Sequence, residues 1–181
     1  MKEIIESQSR RWLYGALIAL PVIVIVVYWF FCLEPPLTVL LIRHADRQGS
    51  QDKLSNAGEA RAQELVHVLE KSGVNAIYHS NAIRTEKTAA PLAMAIGITP
   101  AAIAAADTTL LVNDIRTQHS SHTVLVVGHS DTVPEIITAL GGPSIPNIAG
   151  NEFDNLFVLT TCHCTWPRTK LVKLQYGAAS P

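Results

Sequence analysis

Leu37-Thr38-Val39-Leu40-Leu41-Ile42 runs straight into Arg43-His44. The first part is a dense run of apolar and β-branched residues, which predicts a strand buried on both faces. A cation and an imidazole end it, and sheet packing alone selects neither. Thr123 to Val127 repeats the pattern, closed this time by Gly128-His129.

Between and beyond these stretches the chain alternates. A polar loop from Arg43 to Lys53 follows the first strand. Ser55 or Asn56 can cap the next helix, with Glu59 three residues after Asn56 in capping-box spacing. Ala62, Leu65, Val66 and Leu69 then recur at helical spacing, and Lys71-Ser72-Gly73 closes the helix. Val74 to Tyr78 predicts a second strand. Asn81 to Ile96 predicts a helix interrupted at Pro91 and ended by Gly97. Ala101 to Ala106 reads as a linker or loose turn. Asp107 can cap a helix through Ile115. Thr132 to Leu140 predicts another helix, with Pro134 in the first turn, where a missing N–H costs little. Leu156 to Thr160 and Lys170 to Leu174 predict a closing hairpin around Trp166-Pro167. Such alternation implies an α/β fold, a three-layer αβα sandwich with a mainly parallel central sheet.

In open α/β sheets ligands bind beyond the carboxyl ends of the strands, which is where His44 and His129 both fall. A neutral imidazole is a competent nucleophile toward phosphorus near neutral pH. The planar fork of an adjacent arginine matches phosphate oxygens and offsets the charge spread over them during transfer. His44 therefore reads as a nucleophile, Arg43 as its clamp, and His129 as a further donor to the same oxygens.

Four segments then resemble the motifs of the histidine phosphatase superfamily, also called phosphoglycerate mutase-like. Leu41-Ile42-Arg43-His44-Ala45 resembles its R-H-G signature, with Ala45 in place of the glycine. Leu54-Ser55-Asn56-Ala57-Gly58 resembles L-S-x-x-G, and Ser80-Asn81-Ala82-Ile83-Arg84-Thr85-Glu86-Lys87-Thr88-Ala89 resembles S-x-x-x-R-T-x-x-T-A. Val127-Gly128-His129-Ser130 resembles the late G-H-S segment. The resemblance implies a phosphohistidine on His44 and a phosphate pocket completed by Arg43, Arg84 and His129. Arg84, at a helix start, also lies where backbone N–H groups favour anions.

The glutamate that many members place after the second arginine has no clear counterpart here. Asp131 is the first choice for the acid that protonates the leaving oxygen, or else a helix cap before Thr132. Asp46, Glu135, Glu152 and Asp154 are further candidates. The short soluble part leaves little room for the loops with which mutases hold a phosphosugar. Hydrolysis of phosphomonoesters, or of phosphoprotein or phosphoglycan groups, is the expected reaction. The alternatives are a non-catalytic phosphate-binding or interaction module and a phosphosugar mutase.

The whole chain has 181 residues, 48% hydrophobic and 16% charged, with a formal net charge of −1. It carries no basic field of the kind nucleic-acid binders show, so no nucleic-acid partner is expected and any anion site is a local cluster. No His, Cys or Asp spacing suggests a metal, and no cofactor is implied. Cys162 and Cys164 read as neighbours on one face of a strand.

Leu13 to Leu33 is uncharged and almost wholly apolar, close to the length a membrane helix needs. Aromatic residues stand near both of its ends, and Arg10-Arg11 precedes it. Bulky Phe30-Phe31-Cys32 argues against a cleaved signal peptide or a lipoprotein site, and the partial twin-arginine match at Ser9-Arg10-Arg11 is minor beside so strong a run. The expected organisation is a cytoplasmic segment 1–11, a signal-anchor helix 12–33, a linker 34–36, a domain 37–176 and a tail 177–181. By the positive-inside bias, the domain lies outside the cytoplasm, as on a bacterial inner membrane facing the periplasm. The partners expected are a phosphorylated substrate and the membrane, with the oligomeric state left open.

Overall fold

The computed structural model describes residues 21–27, 35–162 and 168–180. Residues 21–27 are helical. Most of the expected anchor 12–33 lies outside the described residues, and among the described residues no helix is long and apolar enough to cross a membrane.

From residue 35 onward the elements run β1 (Leu37–Arg43), α1 (Asn56–Leu69), β2 (Val74–His79), α2 (Ile83–Ile96), β3 (Ala101–Ala102), α3 (Thr108–Gln118), β4 (Thr123–Gly128), α4 (Thr132–Ala139), β5 (Asn155–Cys162) and β6 (Arg168–Gln175). They build one sheet in the order β3-β2-β4-β1-β5-β6. Side chains alternate across it because successive residues of a strand point to opposite faces. Val39, Leu41, Val124 and Val126 meet Leu111, Val112 and Ile115 of α3 and Val133, Ile136 and Ile137 of α4. Leu40, Ile42, Leu125 and Val127 meet Leu65 and Leu69 of α1 and Ala89, Leu92 and Ala93 of α2. The central strands are apolar on both faces because both faces are covered.

The sheet is mixed rather than mainly parallel throughout. β3, β2, β4 and β1 pair in parallel, but β5 runs antiparallel to β1, and β6 antiparallel to β5. The short connection between β5 and β6 suffices for a hairpin, whereas a parallel return needs a long crossover. The expected hairpin strands are present and longer than read, with Leu159 opposite Leu171; the turn around Trp166-Pro167 and Cys164 lie outside the described residues. The alanine run is not merely a loose turn, since Ala101 and Ala102 form an edge strand against Tyr78 and His79. Backbone pairing at a sheet edge needs no β-branched side chain to announce it.

The helix ends choose between the expected caps, and α2 departs from expectation. Ser55, not Asn56, caps α1, its Oγ accepting from Gly58 N at 3.2 Å. α2 begins at Ile83 and runs through Pro91 without a break to Gly97, whose φ of +71° is the left-handed geometry glycine adopts freely. Ala82 gives α2 no side-chain cap. α4 is capped by Asp131, whose Oδ1 accepts from Thr132 N at 2.9 Å.

The last residues are tied to the domain. Ser180 Oγ donates to Asp154 Oδ1 at 2.8 Å, and Ala178 O accepts from Arg61 Nη1 at 2.7 Å.

Candidate functional site

β1 and β4 are neighbours in register, Arg43 opposite Gly128, and His44 N donates to Gly128 O at 2.9 Å. Each chain then leaves the sheet at the same edge. The rings of His44 and His129 consequently stand 5.5 Å apart, edge to face. Arg84, from the first turn of α2, closes the group by pointing Nη2 at His129 Nδ1, 3.3 Å away. The sequence-predicted Arg43, His44, Arg84 and His129 are brought together.

His44 is 3% exposed. Its Nδ1 faces Ala45 O at 2.8 Å, so Nδ1 carries the proton and Nε2 keeps a lone pair. Burial, reinforced by the charges of Arg43 and Arg84, pushes the ring down to about 4, which leaves it neutral at neutral pH. His129 is lowered too, by burial first and then by Arg84. Since Arg84 can only donate, His129 Nδ1 is the acceptor and Nε2–H is the donor, directed at Ser80 Oγ 2.8 Å away.

The rest of the Ser80–Ala89 segment positions these groups. Thr85 Oγ1 lies 2.9 Å from Ser80 Oγ and donates back to Ser80 O and Ala82 O. Thr88 Oγ1 accepts from Ala45 N at 3.0 Å and so ties α2 to the residue after His44. Gly58 serves the same loop from the other side. A Cβ there would meet Asp46 O at 2.1 Å, so only glycine admits the contact.

Arg43 is held by backbone. Nη1 donates to the carbonyls of Ala149, Gly150 and Glu152 at 2.8, 3.1 and 2.9 Å, and the guanidinium lies 4.2 Å from the Phe153 ring centroid. The Nε atoms of Arg43 and Arg84 are both buried without a hydrogen-bond partner. A buried N–H left unpaired carries a free-energy cost that an anion would relieve.

The carboxylates separate by what they already bind. Asp46 is paired with buried Arg61 at 2.6 Å. Asp154 accepts from Ser180 and from Gln175 Nε2. Glu152 accepts from Asn155 Nδ2 at 2.8 Å. Glu135 is exposed on α4. Asp131 is exposed at the head of α4 and close enough for its charge to act on His129. One carboxylate without a role in the sequence reading stands at the site. Asp52 accepts from Ile83 N, Arg84 N and Arg84 Nη1 at 3.0, 3.2 and 2.8 Å. It is a polar residue in a polar loop, and nothing in its local pattern marks it out. Ser80 was visible only as a motif position. Among the described residues no three His, Cys, Asp or Glu side chains gather as a metal site would require.

The family model for the histidine phosphatase superfamily (branch 1) matches residues 39–106, a span holding Arg43, His44 and Arg84 and ending before His129. No curated protein matches the chain. Among solved structures, a mycobacterial glucosyl-3-phosphoglycerate phosphatase is similar with a TM-score of 0.61 and 16% identity, covering 78% of this chain and 99% of that one. The protein histidine phosphatase SixA complexed with tungstate is similar with a TM-score of 0.59 and 16% identity, covering 76% and 96%. A putative phosphohistidine phosphatase SixA from Agrobacterium tumefaciens gives a TM-score of 0.52 and 23% identity, covering 77% and 98%. At these identities the structural likeness speaks for the fold. Residues 39–106 thus match the histidine phosphatase superfamily (branch 1), and the motif residues of that span gather with His129 at the strand tips of a fold shared with these solved structures.

Proposed function

We propose that the protein is a phosphatase that moves a phosphoryl group from a monoester to Nε2 of His44 and then to water. The observation that carries this reading is a neutral imidazole with a free Nε2, set among cations whose buried Nε–H groups lack partners. In the first step the Nε2 lone pair forms a bond to phosphorus as the bond to the leaving oxygen breaks. Arg43 and Arg84 offset the charge on the equatorial oxygens. The long contact between Arg84 Nη2 and His129 Nδ1 is the one an incoming phosphoryl group would replace. A phosphoryl dianion also favours a proton on Nδ1, after which His129 donates to phosphate through Nδ1 and to Ser80 through Nε2. Asp131 gives the proton to the leaving oxygen. In the second step water attacks phosphorus and gives a proton back to the Asp131 carboxylate, the P–N bond breaks, and inorganic phosphate leaves with His44 neutral and Asp131 reprotonated. Protein cations supply the charge in this route, and it calls on no metal ion.

The substrate class is a phosphomonoester, including groups carried on a protein or glycan. The names of the solved relatives, a glucosyl-3-phosphoglycerate phosphatase and a protein histidine phosphatase, lie within phosphoryl hydrolysis. We also propose that residues 12–33 anchor the domain to a membrane, with the domain on the extracytoplasmic side. The apolar run of the sequence supports this, as do the exposed side chains of Val22 to Val27 in the helical stretch 21–27. A reporter fused after Pro181 is expected to be active only outside the cytoplasm, and cytoplasmic activity would refute the orientation.

The test of the chemistry is a rapid acid-free quench of the protein with a radiolabelled aryl phosphate. Base-stable, acid-labile label is expected on the wild-type chain together with free phosphate. Both are expected to vanish in His44→Ala. Turnover of the wild-type order in that variant would end the proposal.

A further inference from the structure

We propose that Asp52 is a positioning residue for phosphoryl transfer, one that acts by fixing the guanidinium of Arg84. The proposal rests on the phosphate-handling role of Arg84 given above. Its ground is the placement of one carboxylate across two groups. Oδ2 accepts from Ile83 N at 3.0 Å, while Oδ1 accepts from Arg84 N at 3.2 Å and from Arg84 Nη1 at 2.8 Å. Asp52 thus caps α2 from another segment, where Ala82 offers no side-chain cap of its own.

The consequence lies in which corner of the guanidinium is taken. Asp52 holds Nη1. Nη2 is turned to His129, and Nε is buried and unpaired. Nε–H and Nη2–H form one edge of the planar fork, the edge suited to two oxygens of one phosphoryl group. An arginine side chain left to itself samples many rotamers, and ordering it costs entropy at each binding event. With Nη1 anchored, that edge is presented before substrate arrives. The anchor stays anionic, because the backbone N–H of Ile83, with those of Arg84, holds the Asp52 carboxyl below the usual carboxylate range. The same carboxylate occupies the N–H groups at the head of α2, so an incoming phosphoryl group is left to the arginine edge and the imidazoles. The Arg47–Leu54 bridge and the bond from Gln48 N to Lys53 O hold the loop that carries Asp52.

The test is a double-mutant cycle on the full chain, with Asp52→Asn, Arg84→Ala and the pair, read by kcat and KM for an aryl phosphate and by orthovanadate affinity. Asp52→Asn keeps the size and one oxygen acceptor while removing the charge. It is expected to lower kcat/KM by about 10- to 100-fold, the scale of a small misplacement of a catalytic group, and to weaken vanadate binding. In the Arg84→Ala background the same substitution is expected to change neither quantity by more than about twofold. Asp52→Glu is expected to recover part of the loss, which a role confined to folding would not predict. An equal loss in both backgrounds would overturn the proposal, as would an unchanged Asp52→Asn protein. The vanadate arm separates this proposal from the function on which it rests. A wild-type chain that binds vanadate through an Asp52–Arg84 coupling but never turns over keeps the positioning role and loses the phosphatase. A chain that binds no oxyanion loses both.

Discussion

Oγ of Ser80 stands 2.8 Å from Nε2 of His129 and 2.9 Å from Oγ1 of Thr85. Thr85 spends its hydroxyl proton on backbone carbonyls, so Ser80 donates to Thr85 and accepts from His129. This chain fixes the ring of His129 and aims Nδ1 toward Arg84. Ser80→Ala breaks it at a buried point. A stability loss of about 1–3 kcal/mol is expected for the groups left unpaired, with kcat/KM down about tenfold from the loosened ring. Urea unfolding and steady-state kinetics on an aryl phosphate measure the two, and an unchanged kcat/KM would show that Ser80 does not orient His129.

Arg84 is expected to touch the phosphoryl oxygens in both ground and transition states. Arg84→Ala should therefore raise KM and lower kcat together, with kcat/KM falling by on the order of 100- to 1,000-fold. A change confined to KM would mean binding without a part in transfer. No change in kcat/KM would remove Arg84 from the pocket.

His44 gives a signed prediction for pH. Its folded-state value of about 4 lies below the ordinary 6.5, so folding favours the neutral ring. Above 6.5 the ring is neutral in both states and contributes nothing. As pH falls below 6.5 the unfolded chain takes up a proton that the folded chain refuses, and stability is lost until about pH 4. The loss is on the order of 2–3 kcal/mol. His44→Gln, which cannot titrate, should lose less stability than the wild-type chain between pH 7 and pH 4.5, as read by urea unfolding. Carboxylate effects are common to both proteins and cancel in the difference. The acid limb of kcat/KM, corrected for ionisation of the substrate, should fall near 4. A limb near 6.5 would show that the ring is not held neutral.

Asp131 has two roles to distinguish, acid and helix cap. An acid matters most when the leaving oxygen is a poor leaving group. Asp131→Asn should cut kcat for an alkyl phosphate by about 100-fold and leave an activated aryl phosphate within a few-fold. Equal losses on both substrates would leave Asp131 only as the cap of α4.

Much of the fold was legible because its signals are local. β1 and β4 are continuous apolar runs, and their abrupt ends in Arg43-His44 and Gly128-His129 already marked the rim of a site. The motif spacing around Ser80–Ala89 and Leu54–Gly58 was readable in the same way. Pro91 misled, since one proline in an otherwise strong helix was accommodated without a break. The edge strand at Ala101–Ala102 was missed because a backbone pairing leaves no mark on side-chain pattern.

By itself the sequence determined that two imidazoles would end buried strands and that a guanidinium would accompany the first and third motif segments. These follow from near-neighbour chemistry along the chain. Tertiary structure alone decided the partners. Asp46 went to Arg61, Asp52 to Arg84, and Arg43 to carbonyls more than a hundred residues away. It also turned β5 and β6 antiparallel. A hydrogen bond depends on distances of about 3 Å in space, and residues far apart in sequence acquire such distances only when both faces of the sheet are packed.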